Sequence, residues 1–115
     1  MTVNLNEIRI FIRPGPTDLR KASNGLTAIV QEEMKQDPFS GSVYVFCNRE
    51  RKLIKAVYWD DTGFWLSQKR LEQAKYPWPN TKEAARELSS EELKMLLKGI
   101  DFFKMHKPLY YKKVS

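Results

Sequence analysis

At 115 residues, 42% of them hydrophobic and 30% charged, the chain is the size of one domain, which buries roughly two-thirds of its unfolded surface, and it is too apolar to stay disordered. Its 20 Lys and Arg against 14 Asp and Glu leave a net charge of +6, a balance that suits an anionic partner such as nucleic acid. The single cysteine, Cys47, excludes an intrachain disulfide, and the single histidine, His106, excludes a metal site built on two or three His ligands.

Met1 to Asn6 carries no cationic leader followed by an apolar stretch, and no apolar run approaches the roughly 20 residues of a membrane span. The expectation is a cytoplasmic protein with no membrane contact, its one thiol in a reducing compartment. Along the chain, Ile8, Ile10 and Ile12 alternate with Arg9, Phe11 and Arg13 as a strand does, and Pro14, Gly15 and Pro16 end it. Thr17 is placed to cap a helix running from about Asp18 to Lys35, with Leu19, Ala22, Leu26, Ile29, Val30 and Met34 on one stripe. Asp37 to Gly41 is a turn. Val43 to Cys47 and Leu53 to Trp59 then read as a hairpin, and Asp60 to Gly63 turns into a third strand at Phe64, Trp65 and Leu66.

Side-chain alternation sends Val43, Val45 and Cys47 to one face of this meander and Tyr44 and Phe46 to the other, so the first helix is needed to cover one face. Two prolines keep Lys75 to Asn80 out of a helix and leave its Tyr76 and Trp78 to pin a surface segment down. After a polar linker, Ser89 and Glu92 form a capping box for a last helix with Leu93, Leu96 and Leu97, stopped by Gly99. The fold class expected is α+β, an antiparallel meander against about two helices, as one domain over residues 1–101 with a basic, aromatic tail over 102–115.

No catalytic constellation stands out: Asp60 and Asp61 are adjacent turn residues before Thr62 and Gly63, Cys47 falls at a core position, and the glycines match no phosphate-loop spacing. No catalytic residue, metal or cofactor is expected. The cations point elsewhere. Arg49, Arg51, Lys52 and Lys55 crowd one hairpin, Lys69 and Arg70 follow the third strand, and Arg13, Arg20 and Lys21 flank the start of the first helix, where free N–H groups favour an anion. Tyr58, Trp59, Phe64 and Trp65 stand between the cations, as rings do that stack on unpaired bases, although strand aromatics more often fill a core. These nine cations are the candidate nucleic-acid contacts.

Ordered blocks carry a more specific signal: Arg13-Pro14-Gly15-Pro16-Thr17-Asp18-Leu19-Arg20-Lys21, Gly25-Leu26, Asp37-Pro38-Phe39-Ser40-Gly41, Tyr58-Trp59-Asp60, Gly63-Phe64-Trp65-Leu66, Lys69-Arg70-Leu71-Glu72, Trp78-Pro79 and Gly99-Ile100-Asp101. In this order, over about Arg9 to Asp101, the chain resembles the TnpB-type accessory proteins of the insertion-sequence-sixty-six family of bacterial transposons, which are unrelated to the RNA-guided nucleases of similar name. The resemblance implies a non-catalytic helper in DNA transposition, acting beside a separate transposase that carries the acidic catalytic residues, with transposon DNA, the cognate transposase or both as partners. It carries over no binding residues. Asn48-Arg49-Glu50-Arg51 departs from the tighter Gly-containing turn of the family, as does the Tyr110-Tyr111-Lys112-Lys113 ending. A pure protein-protein adaptor without nucleic-acid contact is the alternative.

Overall fold

A computed structural model of the protein describes residues 8–101 and Phe103. Its elements run β1 (Ile10–Ile12), α1 (Ser23–Glu32), β2 (Val43–Cys47), β3 (Leu53–Trp59), β4 (Phe64–Arg70), β5 (Arg86–Leu88) and α2 (Ser90–Leu97). The five strands form one sheet in the order β4-β3-β2-β1-β5. Neighbours pair antiparallel except β1 and β2, which are parallel, so the sheet is mixed. Parallel neighbours need a crossover, and α1 supplies it. The α+β class therefore holds, with the three-stranded meander as its antiparallel core.

Both faces of the sheet are covered. Tyr44, Phe46, Val57 and Phe11 meet Leu26, Ile29 and Val30 of α1, together with Leu19 and Met34. On the other face Ile10, Ile12, Val45, Cys47 and Ile54 pack with Leu88, Leu96, Tyr76 and Trp78. A fully buried Leu, Ile or Val is worth about 1.5–3 kcal/mol, so each layer holds its helix without help from intrinsic propensity. All three residues of β1 are buried because a strand between two neighbours, covered on both faces, has no solvent side.

The first helix starts five residues later than the sequence predicts. Thr17 caps nothing: its N–H donates to the Cys47 carbonyl, its hydroxyl accepts from Arg13, and it is buried. Asp18 instead accepts from the backbone N–H of Arg20, a local bond that competes with helix formation. Helix α1 ends at Glu32, beyond which Gln36 N–H reaches back to the Val30 carbonyl around Lys35 in the left-handed region (φ 59°). Gly25 inside the helix has a local reason, since a Cβ there would sit 3.0 Å from Lys21 Cβ. Strand β4 runs on past Leu66 to Arg70, and the supposed linker contains β5, which pairs Arg86 to Leu88 with Ile12 to Ile10. The capping box on α2 forms as read, and Gly99 turns its end at φ 78°. Of the tail over 102–115 only Phe103 is described; it packs against the second core layer, under the Arg86 guanidinium. Lys104, His106, Lys107 and the rest of the tail lie outside the described residues, as does Met1 to Asn6.

Candidate nucleic-acid interface

Backbone pairing brings most of the candidate cations to one end of the sheet. Asn48 to Lys52 is the turn between β2 and β3, and Asn48 Oδ1 accepts the N–H groups of Lys52 and Leu53, which fixes it. Arg51 takes a left-handed φ of 61° there, the conformation a glycine would adopt more cheaply. Arg70 lies across from Leu53 in register, and Leu71 N–H donates to the Lys52 carbonyl. From the other side, the Arg13 and Thr17 N–H groups bond to Val45 and Cys47, which draws the Pro14 to Lys21 loop against the same end. Lys55 Nζ donates to the Lys21 carbonyl at 3.4 Å. The Lys75 to Asn80 segment closes the edge: Tyr76 N–H donates to the Arg51 carbonyl, and Gly15 N–H, at a φ of 81° that favours glycine, donates to the Pro79 carbonyl.

Two open clefts result. One, of about 510 Å³, lies between the Pro16 to Arg20 loop and Asn48, Arg49, Glu50 and Leu53. The second runs from Gly15 and Pro16 past Arg49 and Arg51 to Trp78, Pro79 and Asn80. Arg49 belongs to both.

The cations differ in what they are free to do. Arg13 donates to the Pro16 carbonyl and the Thr17 hydroxyl and pairs with Glu33 at 2.9 Å, so it staples the loop to the end of α1. Arg20 is held on Asp18 at 2.8 Å, and the Arg20 side chain, then its backbone N–H, holds the Asp18 carboxyl well below the usual carboxylate range. Lys69 sits on the opposite face and donates to the Leu97 carbonyl at 2.7 Å, satisfying the C-terminal end of α2. Neither Arg13 nor Arg20 serves an anion at a helix N-terminus, because α1 begins at Ser23 and Arg13 and Arg20 are already paired. Arg49, Arg51, Lys52, Lys21, Lys55 and Arg70 enter no ion pair among the described residues.

The aromatics do not interleave with these cations in space. Trp59, Phe64 and Phe39 cluster with centroids 5.0–5.3 Å apart at the β3–β4 turn, the far end of β3 from Leu53. Tyr58 and Trp65 stack on the α2 face at 6.4 Å. Seven strand residues separate the ends by roughly 20 Å. The Asp60 carboxylate is consumed by the turn: Oδ1 accepts from Thr62 N–H, Thr62 hydroxyl and Gly63 N–H, and Oδ2 from Trp65 Nε1 at 2.6 Å. Among the described residues no group of three or more His, Cys, Asp or Glu could hold a metal ion, and no helix is long and apolar enough to cross a membrane.

Comparison with known proteins gives these features a context. No solved structure matches the chain. Two proteins of Sinorhizobium fredii, named "Uncharacterized protein y4jC" and "Uncharacterized protein y4hO", are each 36% identical to it over 95 residues, 83% of this chain and 81% and 83% of theirs. The family model described as "IS66 Orf2 like protein" matches residues 8–107, which takes in the sheet, both helices and the whole cationic end. The chain therefore belongs to the IS66 Orf2-like family, whose role is an accessory one associated with transposition.

Proposed function

We propose that the protein is a non-catalytic accessory factor that holds transposon DNA through the cationic end of its sheet, beside a separate transposase, in the bacterial cytoplasm. The carrying observation is the set of Arg49, Arg51, Lys52 and Arg70, gathered at one end by pairing and unsatisfied by any carboxylate among the described residues. Cations crowded this closely repel one another, and phosphates relieve that repulsion. Lys21 and Lys55 extend the surface along the first cleft, whereas Arg13, Arg20 and Lys69 act as struts that shape it. With the rings about 20 Å away, the expected contact is with the backbone of duplex DNA rather than with stacked bases.

The test is a salt series of binding to a duplex from the transposon end. Phosphate contacts release counterions, so affinity falls with salt at a slope of about −0.9 per contact, here about −3 to −5 for the four to six free cations. No binding at low salt, together with a salt-sensitive complex with the transposase alone, would transfer the same surface to an acidic protein partner and leave the adaptor reading in its place.

A further inference from the structure

Strand β4 stands at the end of the sheet, paired on one side only. It is seven residues long, unbulged, without Pro or Gly, and exposed from Trp65 to Arg70. Natural edges are shortened, kinked or covered, because a free row of N–H and C=O groups recruits another strand. The opposite edge, β5, is three residues long. Of the four large apolar side chains exposed among the described residues, Trp65 and Leu66 lie on β4, and Phe39 packs on its Phe64 at 5.3 Å.

The free main-chain groups can be assigned. Asp60 N–H bonds to the Gly63 carbonyl and Leu71 N–H to the Lys52 carbonyl, at the two ends of the β3–β4 ladder. Bonded pairs alternate in an antiparallel ladder, so Trp65, Ser67 and Lys69 turn their main-chain groups toward β3. Phe64, Leu66, Gln68 and Arg70 turn theirs outward.

We infer that a second copy of this chain pairs with β4 antiparallel, about a two-fold axis through Ser67, to make one continuous sheet. In that register Leu66 exchanges hydrogen bonds with Gln68 of the partner subunit and Phe64 with the partner's Arg70, which uses every outward main-chain group. The side chains agree with it. Strand β4 begins beside the acidic Asp60-Asp61 turn and its aromatics and ends in Lys69-Arg70. Antiparallel pairing lays the acidic, aromatic end on the cationic one, with Trp65 across from the partner's Lys69 and Phe64 across from the partner's Arg70, contacts that favour a cation over a ring. Parallel pairing would set cation beside cation. The cationic ends of the two copies then lie at opposite corners of the joined sheet.

The test uses the full chain in sedimentation equilibrium and oxidative cross-linking. At about 50 μM the wild type should show twice the chain mass. In a non-bonded pair on the axis the Cα atoms lie about 4.5 Å apart, within disulfide reach, so Ser67→Cys should cross-link to a covalent dimer while Gln68→Cys, facing Leu66 of the partner subunit, should not. Cys47 is fully buried and does not compete. Ser67→Lys, harmless to an exposed position in the monomer, should weaken the dimer at least about fivefold by facing itself. Gln68→Pro removes one outward N–H and should do the same. A monomer at 50 μM overturns the inference. So does a dimer indifferent to both Ser67→Lys and Gln68→Pro, or one in which Gln68→Cys cross-links as readily as Ser67→Cys.

Discussion

Replacing Trp78 by Phe removes one N–H from the segment that holds the cationic end together. The indole is 7% exposed and its Nε1 donates to the Arg13 carbonyl at 2.9 Å and the Gly15 carbonyl at 3.1 Å, the two ends of the Pro14 turn. Deleting a donor that leaves buried carbonyls unmatched costs about 1–3 kcal/mol, and the smaller ring forfeits about 1 kcal/mol of buried apolar surface. The sum is about 2–4 kcal/mol, which for a domain of this size lowers Tm by about 8–16 °C. Trp65→Phe is the matched control: the same atoms are lost, but that ring is 54% exposed and its Nε1 bonds a carboxylate already facing water. It should cost less than about 1 kcal/mol. Thermal and urea melts of both variants measure the difference. Equal destabilisation of the two, to within about 0.5 kcal/mol, would refute the assignment of Trp78 as the tie between the loop and the sheet end.

Three further outcomes follow from local geometry. Burial pushes the Cys47 thiol up to about 12, against the weaker opposing pull of Arg51 and the Asn48 N–H; a thiol reagent at pH 8 should label the native protein far more slowly than the urea-unfolded one, and equal rates would place the residue outside the core. The Asp60 carboxyl is held below its ordinary value chiefly by the Thr62 N–H and then by Trp65 Nε1. A depressed folded pKa stabilises above the unfolded value near 4 and is lost as pH falls through the folded one, so Asp60→Asn should flatten the decline in stability below about pH 4; an unchanged acid limb counts against this. Gly99→Ala, which forces a left-handed residue and brings its Cβ to 3.5 Å from Leu71, should cost about 1 kcal/mol in denaturant melts.

The meander was legible because its period-2 pattern, its turn residues and its two-sided burial all agree: Val43–Cys47 and Leu53–Trp59 lie where the alternation puts them, with Val45 and Tyr44 on opposite layers. Misreadings came where long-range pairing overrides local signal. Arg86–Leu88 is too short and polar to announce a strand and becomes one because Ile10–Ile12 offers it a partner. Leu19 fits a helical stripe yet is buried from a loop, since Thr17 is tied to Cys47 and Asp18 to Arg20. Ser67 to Arg70 carry no apolar residue, as an exposed edge strand allows. At the candidate site the sequence displayed the cations but not their division into struts and free groups, which depends on Glu33, Asp18 and the Leu97 carbonyl being brought to Arg13, Arg20 and Lys69. It also set rings among cations along the chain that the hairpin then sends to opposite ends.

The central claim, a phosphate-binding end on this sheet, is tested most directly by the salt dependence of DNA binding after Arg49, Arg51 and Lys52 are changed to Gln together. A control with Lys82, Lys94 and Lys98 changed to Gln removes the same charge from exposed positions elsewhere on the chain. If each of the three hairpin cations meets a phosphate, the slope of log affinity against log salt falls by about 2.7 in the first variant and by well under 1 in the control, with melting temperatures close to wild type in both. Equal slopes for wild type and the hairpin variant, or an equal loss in the control, would contradict the account.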